Sequence, residues 1–265
     1  MRTSFLLELD EAVPMGATMA SEWNMRAACC ANDLGASVLK RPSLGEAPMA
    51  DEIFSLGEPA LVCRWRLAGR HVPMLNRHMR ALSQRHLQDG PISANMLSWV
   101  KQHIEWALAE DTTAVADGVL MLVIDEAGQA VMSTGAYVPL ADATADVLMA
   151  RAANARVEAD RTGIAPEVLC SVANGVLTVG ISSEANPCAA VSLAEQLAQT
   201  RGVRVERDPA LSYRVVGGLA AGAVALLSDE HGAVASIDGV GTAADAELIA
   251  FLVSAFDKLR DSARR

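Results

Sequence analysis

The chain has 265 residues, 51% of them hydrophobic, and its 22 Lys plus Arg against 32 Asp plus Glu give a formal net charge of −10. That length supports one large or two modest domains, each able to bury a core. The acidic balance, with no basic cluster beyond Arg77, Arg80 and Arg85, argues against a surface that grips nucleic acid through its phosphates, and the longest apolar run, residues 215–227, is too short to span a bilayer.

Residues 1–50 have a character of their own, with a helical stretch near 18–34, a break at Gly35 and a Pro- and Gly-containing linker over 40–48. The opening ten residues carry Glu8 and Asp10 and no cleavage-site pattern, so no signal peptide is expected. Five cysteines, Cys29, Cys30, Cys63, Cys170 and Cys188, lack metal-ligand spacing and read as reduced thiols of a cytoplasmic protein, with no metal expected.

An α/β unit is predicted over 51–140. Residues 59–67 alternate Arg64 and Arg66 with Cys63 and Trp65, the period of a strand with one polar side. A helix over 75–87 would place Leu75, Met79, Leu82 and His86 on one face, and a second from Ser93 would turn Met96, Val100, Ile104 and Leu108 inward. Residues 118–125 form a continuous apolar run, as in a buried strand.

A second α/β unit is predicted over 141–265. A helix over 145–162 stops at Gly163, and Asn174-Gly175 joins two short apolar runs as a hairpin turn. A helix opens at Asn186 with Pro187 in its first turn, strands follow at 203–206 and 223–228, and Thr242 caps a last amphipathic helix. The class is mixed α/β.

In order, the strand ending at Gly69, the run His78, Met79, Arg80, Ala81, Leu82, Ser83, the helix and hairpin of 147–180, the Pro187 helix leading into 202–205, and the close at 233–239 resemble the class IV aminotransferases. That family includes branched-chain and D-amino-acid aminotransferases and aminodeoxychorismate lyases. The resemblance covers about residues 54–260 and implies a two-subdomain fold, pyridoxal phosphate in the cleft and a dimer, either of identical chains or with a homologue.

The family holds its cofactor with four devices. The arginine that contacts the phosphate has Arg80 or Arg77 as its nearest match. The Schiff-base lysine belongs near 143–147, yet no lysine occurs between Lys101 and Lys258; an arginine cannot replace it, because its guanidinium stays protonated. Val179 stands where a glutamate pairs with the pyridine nitrogen, although Gly180, Ser182 and Ser183 are kept. The two segments of the phosphate cup read 187–191 and 228–231, the second carrying Asp229 and Glu230. Pyridoxal phosphate is therefore not expected.

Without it, the cleft could take a small anionic metabolite. Arg64 and Arg66 suit a carboxylate clamp, with Arg77, Arg80, Ser182 and Ser183 as further binding candidates. His71, His78 and Tyr137 are the candidate catalytic groups. Elimination, isomerisation or cyclisation, a non-catalytic partner subunit or ligand-binding protein, and a pyridoxal-phosphate aminotransferase or lyase with an unusual site all remain open.

Overall fold

The described strands form three sheets, of three, five and two strands, the last joining His86–Leu87 to Gly90–Pro91. The computed structural model describes residues 56–265 apart from 89, 111–114, 219–221 and 265, so the expectations for residues 1–50, Cys29 and Cys30 among them, lie outside the described residues. Ten strands and six helices are described. They are β1 (Pro59–Arg66), α1 (Leu75–Ser83), β2 (His86–Leu87), β3 (Gly90–Pro91), α2 (Ala94–Glu110), β4 (Gly118–Asp125), β5 (Ala130–Ala136) and α3 (Ala145–Thr162). There follow β6 (Glu167–Ala173), β7 (Val176–Val179), α4 (Ala189–Thr200), β8 (Arg204–Arg207), α5 (Leu211–Val216), β9 (Ala223–Ser228), β10 (Gly232–Ala235) and α6 (Ala243–Ala263).

The first sheet is antiparallel in the order β1-β4-β5. Leu61, Cys63 and Trp65 of β1 are buried with Met96, Val100, Ile104 and Leu108 of α2, as the spacing predicts. Arg64 and Arg66 therefore leave the opposite face of the strand. Ser93 Oγ accepts from the Met96 amide at 3.2 Å and fixes the start of α2.

The second sheet runs β10-β9-β6-β7-β8, antiparallel except for β7 beside β8. Both its faces are covered, and the period of two sorts the side chains between them. Val168, Cys170 and Val172 of β6 and Ala225 and Leu227 of β9 pack with α4 and α6. Leu169, Val224 and Leu226 point the other way, onto Leu148, Met149 and Ala152 of α3. Asn174 and Gly175 take φ of 53° and 75°, the left-handed pair that a tight hairpin needs. The Thr242 and Asp245 side chains complete a reciprocal cap on α6.

Two boundaries differ from expectation. The helix predicted to 87 ends at Ser83, because Arg85 turns inward to Glu158 (2.8 Å) and His86 enters β2 instead of continuing a helical face. The helix expected from Asn186 begins at Ala189; the Ala190 amide in its first turn is met by a residue 39 positions away, which no local pattern announces.

Candidate functional site

The polar face of β1 meets the turn between β9 and β10. Arg64 grips Glu230 through two bonds, Nε to Oε2 at 2.5 Å and Nη2 to Oε1 at 2.9 Å. Burial alone would raise the Glu230 carboxyl, but the Arg64 guanidinium holds it below its ordinary value. The predicted clamp is thus half closed by the chain itself.

Arg66 behaves differently. Its guanidinium carbon lies 3.2 Å from the centroid of the Tyr137 ring, while its Nε and Nη1 are buried without a hydrogen-bond partner. Burial, with help from Arg260 and Arg264, lowers its pKa. The Tyr137 hydroxyl sits 3.1 Å from His231 Nδ1, and His231 Nε2 lies 3.3 Å from Arg151 Nη2. An arginine can only donate, so Nε2 accepts and the proton of the neutral ring is on Nδ1, donated to the tyrosine oxygen. The tyrosine proton is then left for another acceptor. Burial and the charges of Arg151 and Arg64 lower the His231 pKa, against Glu230 and Glu167, which favours that neutral ring. Glu167 completes the group, accepting from Arg151 at 2.7 Å and from Ser228 Oγ at 3.0 Å.

Deeper in the seam, Asp229 is 6% exposed and its Oδ1 accepts from the Ala190 amide at 2.9 Å, in the first turn of α4. Its Oδ2 is 3.6 Å from Nδ1 of His78, an ion-pair distance longer than a hydrogen bond. His78 is 1% exposed, and its ring lies against that of Trp65, 5.0 Å between centroids. Burial raises the Asp229 carboxyl, but the His78 charge, the Ala190 amide and Arg85 outweigh it and hold it low. Two voids border this pair, of about 10 and 20 Å³, each room for no more than a water.

The remaining candidates are dispersed, which corrects the expectation of one shared cleft. Arg77 is tied to Ser192 Oγ at 2.7 Å and to Gln196, both on α4. Arg80 is exposed on α1. His71 is exposed and its ring bonds to the Gly69 carbonyl of its own loop at 2.8 Å. Ser182 and Ser183 are exposed on the loop after β7, and Ser182 lines a separate cleft of about 310 Å³ with Arg156, Asp160 and Glu167. His78 is sealed rather than presented to a ligand. Sequence reasoning missed His231, Glu167, Arg151 and the Glu230 partner of Arg64; the acidic Asp229-Glu230 pair beside His231 was their one visible sign.

Comparison with solved structures places this arrangement. A protein provisionally assigned as a 4-amino-4-deoxychorismate lyase is similar at 16% identity, over 80% of this chain and 98% of that one, with a TM-score of 0.50. This is the class IV aminotransferase fold. An aminotransferase described as hypothetical, from Mycobacterium tuberculosis and in its pyridoxal-phosphate-bound form, is similar at 14% identity over 81% and 95% of the two chains, with a TM-score of 0.49. The 4-amino-4-deoxychorismate lyase of Pseudomonas aeruginosa is similar at 13% identity over 76% and 90%, with a TM-score of 0.47. No family model and no curated protein matches the sequence.

At the positions that the resemblance assigns to pyridoxal phosphate, residues 143–147 and Val179, the chain offers neither an amine nor a carboxylate for it. Residues 143–147, at the start of α3, carry no amine, while Lys101 and Lys258 are exposed on α2 and α6. Val179 is fully buried with Cys170 and Leu177 and offers a pyridine nitrogen nothing. The Ala190 amide of α4 is taken by Asp229, while Pro187 and Cys188 just before it line the cleft of about 310 Å³. Cys188 caps α4, yet burial, and after it the Asp229 charge, push its thiol pKa well up, against the pull of the helix end. Burial also pushes Cys63 and Cys170 up to about 12, which disfavours the thiolate form of each. No described helix is long and apolar enough to cross a membrane, and no described cluster has the ligands for a metal ion.

Proposed function

We propose that this chain works without pyridoxal phosphate, binding the anionic group of a small metabolite at Arg66 and moving a proton with Tyr137. One observation carries the reading: Arg66 holds two buried N–H groups without acceptors beside the ring of Tyr137, whose hydroxyl lies 3.1 Å from His231 Nδ1. A carboxylate seated on the Arg66 fork would satisfy both N–H groups. Tyr137, kept in place by the His231 N–H, would then donate to or accept from the atom next to that carboxylate, the proton traffic of an elimination, isomerisation or cyclisation. Arg64 cannot share the task while Glu230 fills its fork.

The small size of the voids beside Arg66 and Asp229 favours a second reading, a partner subunit that turns nothing over and pairs with an active homologue. Both readings describe a dimeric cytoplasmic protein, and neither needs a metal.

The purified chain is expected to show no yellow absorbance with or without added pyridoxal phosphate, and no change on borohydride treatment. Calorimetric titration with a panel of small carboxylates should give a binder whose affinity falls about tenfold or more in Arg66→Gln and stays within about twofold in Arg80→Gln. A borohydride-sensitive chromophore sinks the cofactor-free reading. Anion binding that ignores Arg66 sinks the site, and co-purification with a lysine-bearing homologue without turnover favours the partner subunit.

A further inference from the structure

The first turn of α4 is an anion site by construction, and its anion is part of the chain. A helix N-terminus directs unpaired amides and a positive field outward, which suits a phosphate or carboxylate. Two further groups converge there. His78, 1% exposed, aims Nδ1 at the same point with no hydrogen-bond partner, and Arg85, 4% exposed and bonded to Glu158, lines the same small void as Asp229.

We propose that Asp229 is a tethered ligand filling a complete anion site, which its removal would open to inorganic phosphate. The carboxylate reaches the site from the turn after β9, and both small voids of the seam are lined by Asp229 and His78, so deleting this side chain joins them into one space. Being tethered, the carboxylate acts at an effective concentration in the millimolar range or above, and free phosphate at ordinary levels does not displace it. The chain therefore refuses phosphate-bearing ligands by keeping the site full rather than by losing it. Arg66 lines the second of these voids together with Asp229 and His78, so the readout is phosphate binding by Asp229→Gly rather than carboxylate binding at Arg66.

The test uses the full chain and inorganic phosphate. Thermal melting with and without about 10 mM phosphate, against chloride at equal ionic strength, should leave the wild type unmoved and raise Asp229→Gly by several degrees, because a ligand of the native state alone stabilises by mass action. Non-specific salting effects are common to both proteins and cancel in the difference. Calorimetry should show one phosphate bound by Asp229→Gly and binding weakened about tenfold or more when His78→Gln is added. If Asp229→Gly does not fold in plain buffer, phosphate should restore its fold. A folded variant that ignores phosphate, an unfolded one that phosphate does not rescue, or a wild type that responds as strongly as the variant each overturns the proposal.

Discussion

Two charged groups of the same seam reach opposite ends. At the first turn of α4 a positive field meets Asp229, with His78 behind it, and every formal charge finds an opposite inside the chain. On β1, Arg66 is turned toward an aromatic face and keeps two buried N–H groups without acceptors. Folding stability explains the first arrangement, because a buried anion with its donors in place is strongly held. It does not explain the second, because an unpaired, partly desolvated cation costs stability. Where a fold tolerates such a cost, the group is a candidate for binding something from outside.

The largest effect expected from this contrast is at Asp229. Asp229→Ala should cost about 3 kcal/mol, the range for breaking a buried charge pair, since it leaves the Ala190 amide buried without its acceptor and His78 without the carboxylate beside it. Urea unfolding in phosphate-free buffer measures it. A loss under about 1 kcal/mol would mean that water serves the site as well as the carboxylate does, and the contrast with Arg66 would dissolve.

The two halves of the contrast were unequally visible in the sequence. Local spacing announced that Arg64 and Arg66 leave one face of β1, that Met96, Val100, Ile104 and Leu108 face inward, and that Asn174-Gly175 turns a hairpin, because each signal is complete within a few residues. The order of those pieces was enough to suggest the fold. The pairings were not readable: Glu230 is 166 positions from Arg64, Asp229 is 39 from Ala190, and His231 is 94 from Tyr137. Asp229 and Glu230 stood out as negative charges in a place suited to a phosphate, but whether they point inward or away is set by tertiary packing alone. The helix predicted through His86 failed for the same reason, since the inward turn of Arg85 answers to Glu158 on α3.

A smaller effect concerns acid. Glu230 and Asp229 have folded pKa values below their ordinary ones, so the stability each contributes is full above about pH 4 and is lost as pH falls further. His231 is also lowered, facing Arg151, Arg64, Glu230, Glu167 and Tyr137. Its neutral form is favoured by the fold, so its contribution is full above about pH 6.5 and is lost as pH falls through that value toward its lower folded pKa. The melting temperature should therefore drop between pH 7.5 and 5.5 in the wild type and drop less in His231→Gln. An equal drop in both proteins would show that the imidazole is not held neutral, and the inferred donation from its Nδ1 to Tyr137 would go with it.

The smallest effect is the most informative about function. Arg66→Met removes a cation with no carboxylate hydrogen-bonded to it, and Asp117, which feels its charge, is exposed and held by Arg264, so no opposite charge is left buried behind it. The variant forfeits the contact with the Tyr137 ring, worth about 1 kcal/mol, and regains the desolvation cost of the guanidinium, which is of similar size. The apolar stem of the methionine keeps part of the packing of the arginine. Stability should stay within about 0.5 kcal/mol of the wild type by urea unfolding, well short of the loss at Asp229. A near-neutral result marks Arg66 as a residue whose position the fold does not require. A loss approaching that of Asp229→Ala would make both residues structural and move the search for the bound anion to the Arg156 cleft, where Ser182 lies.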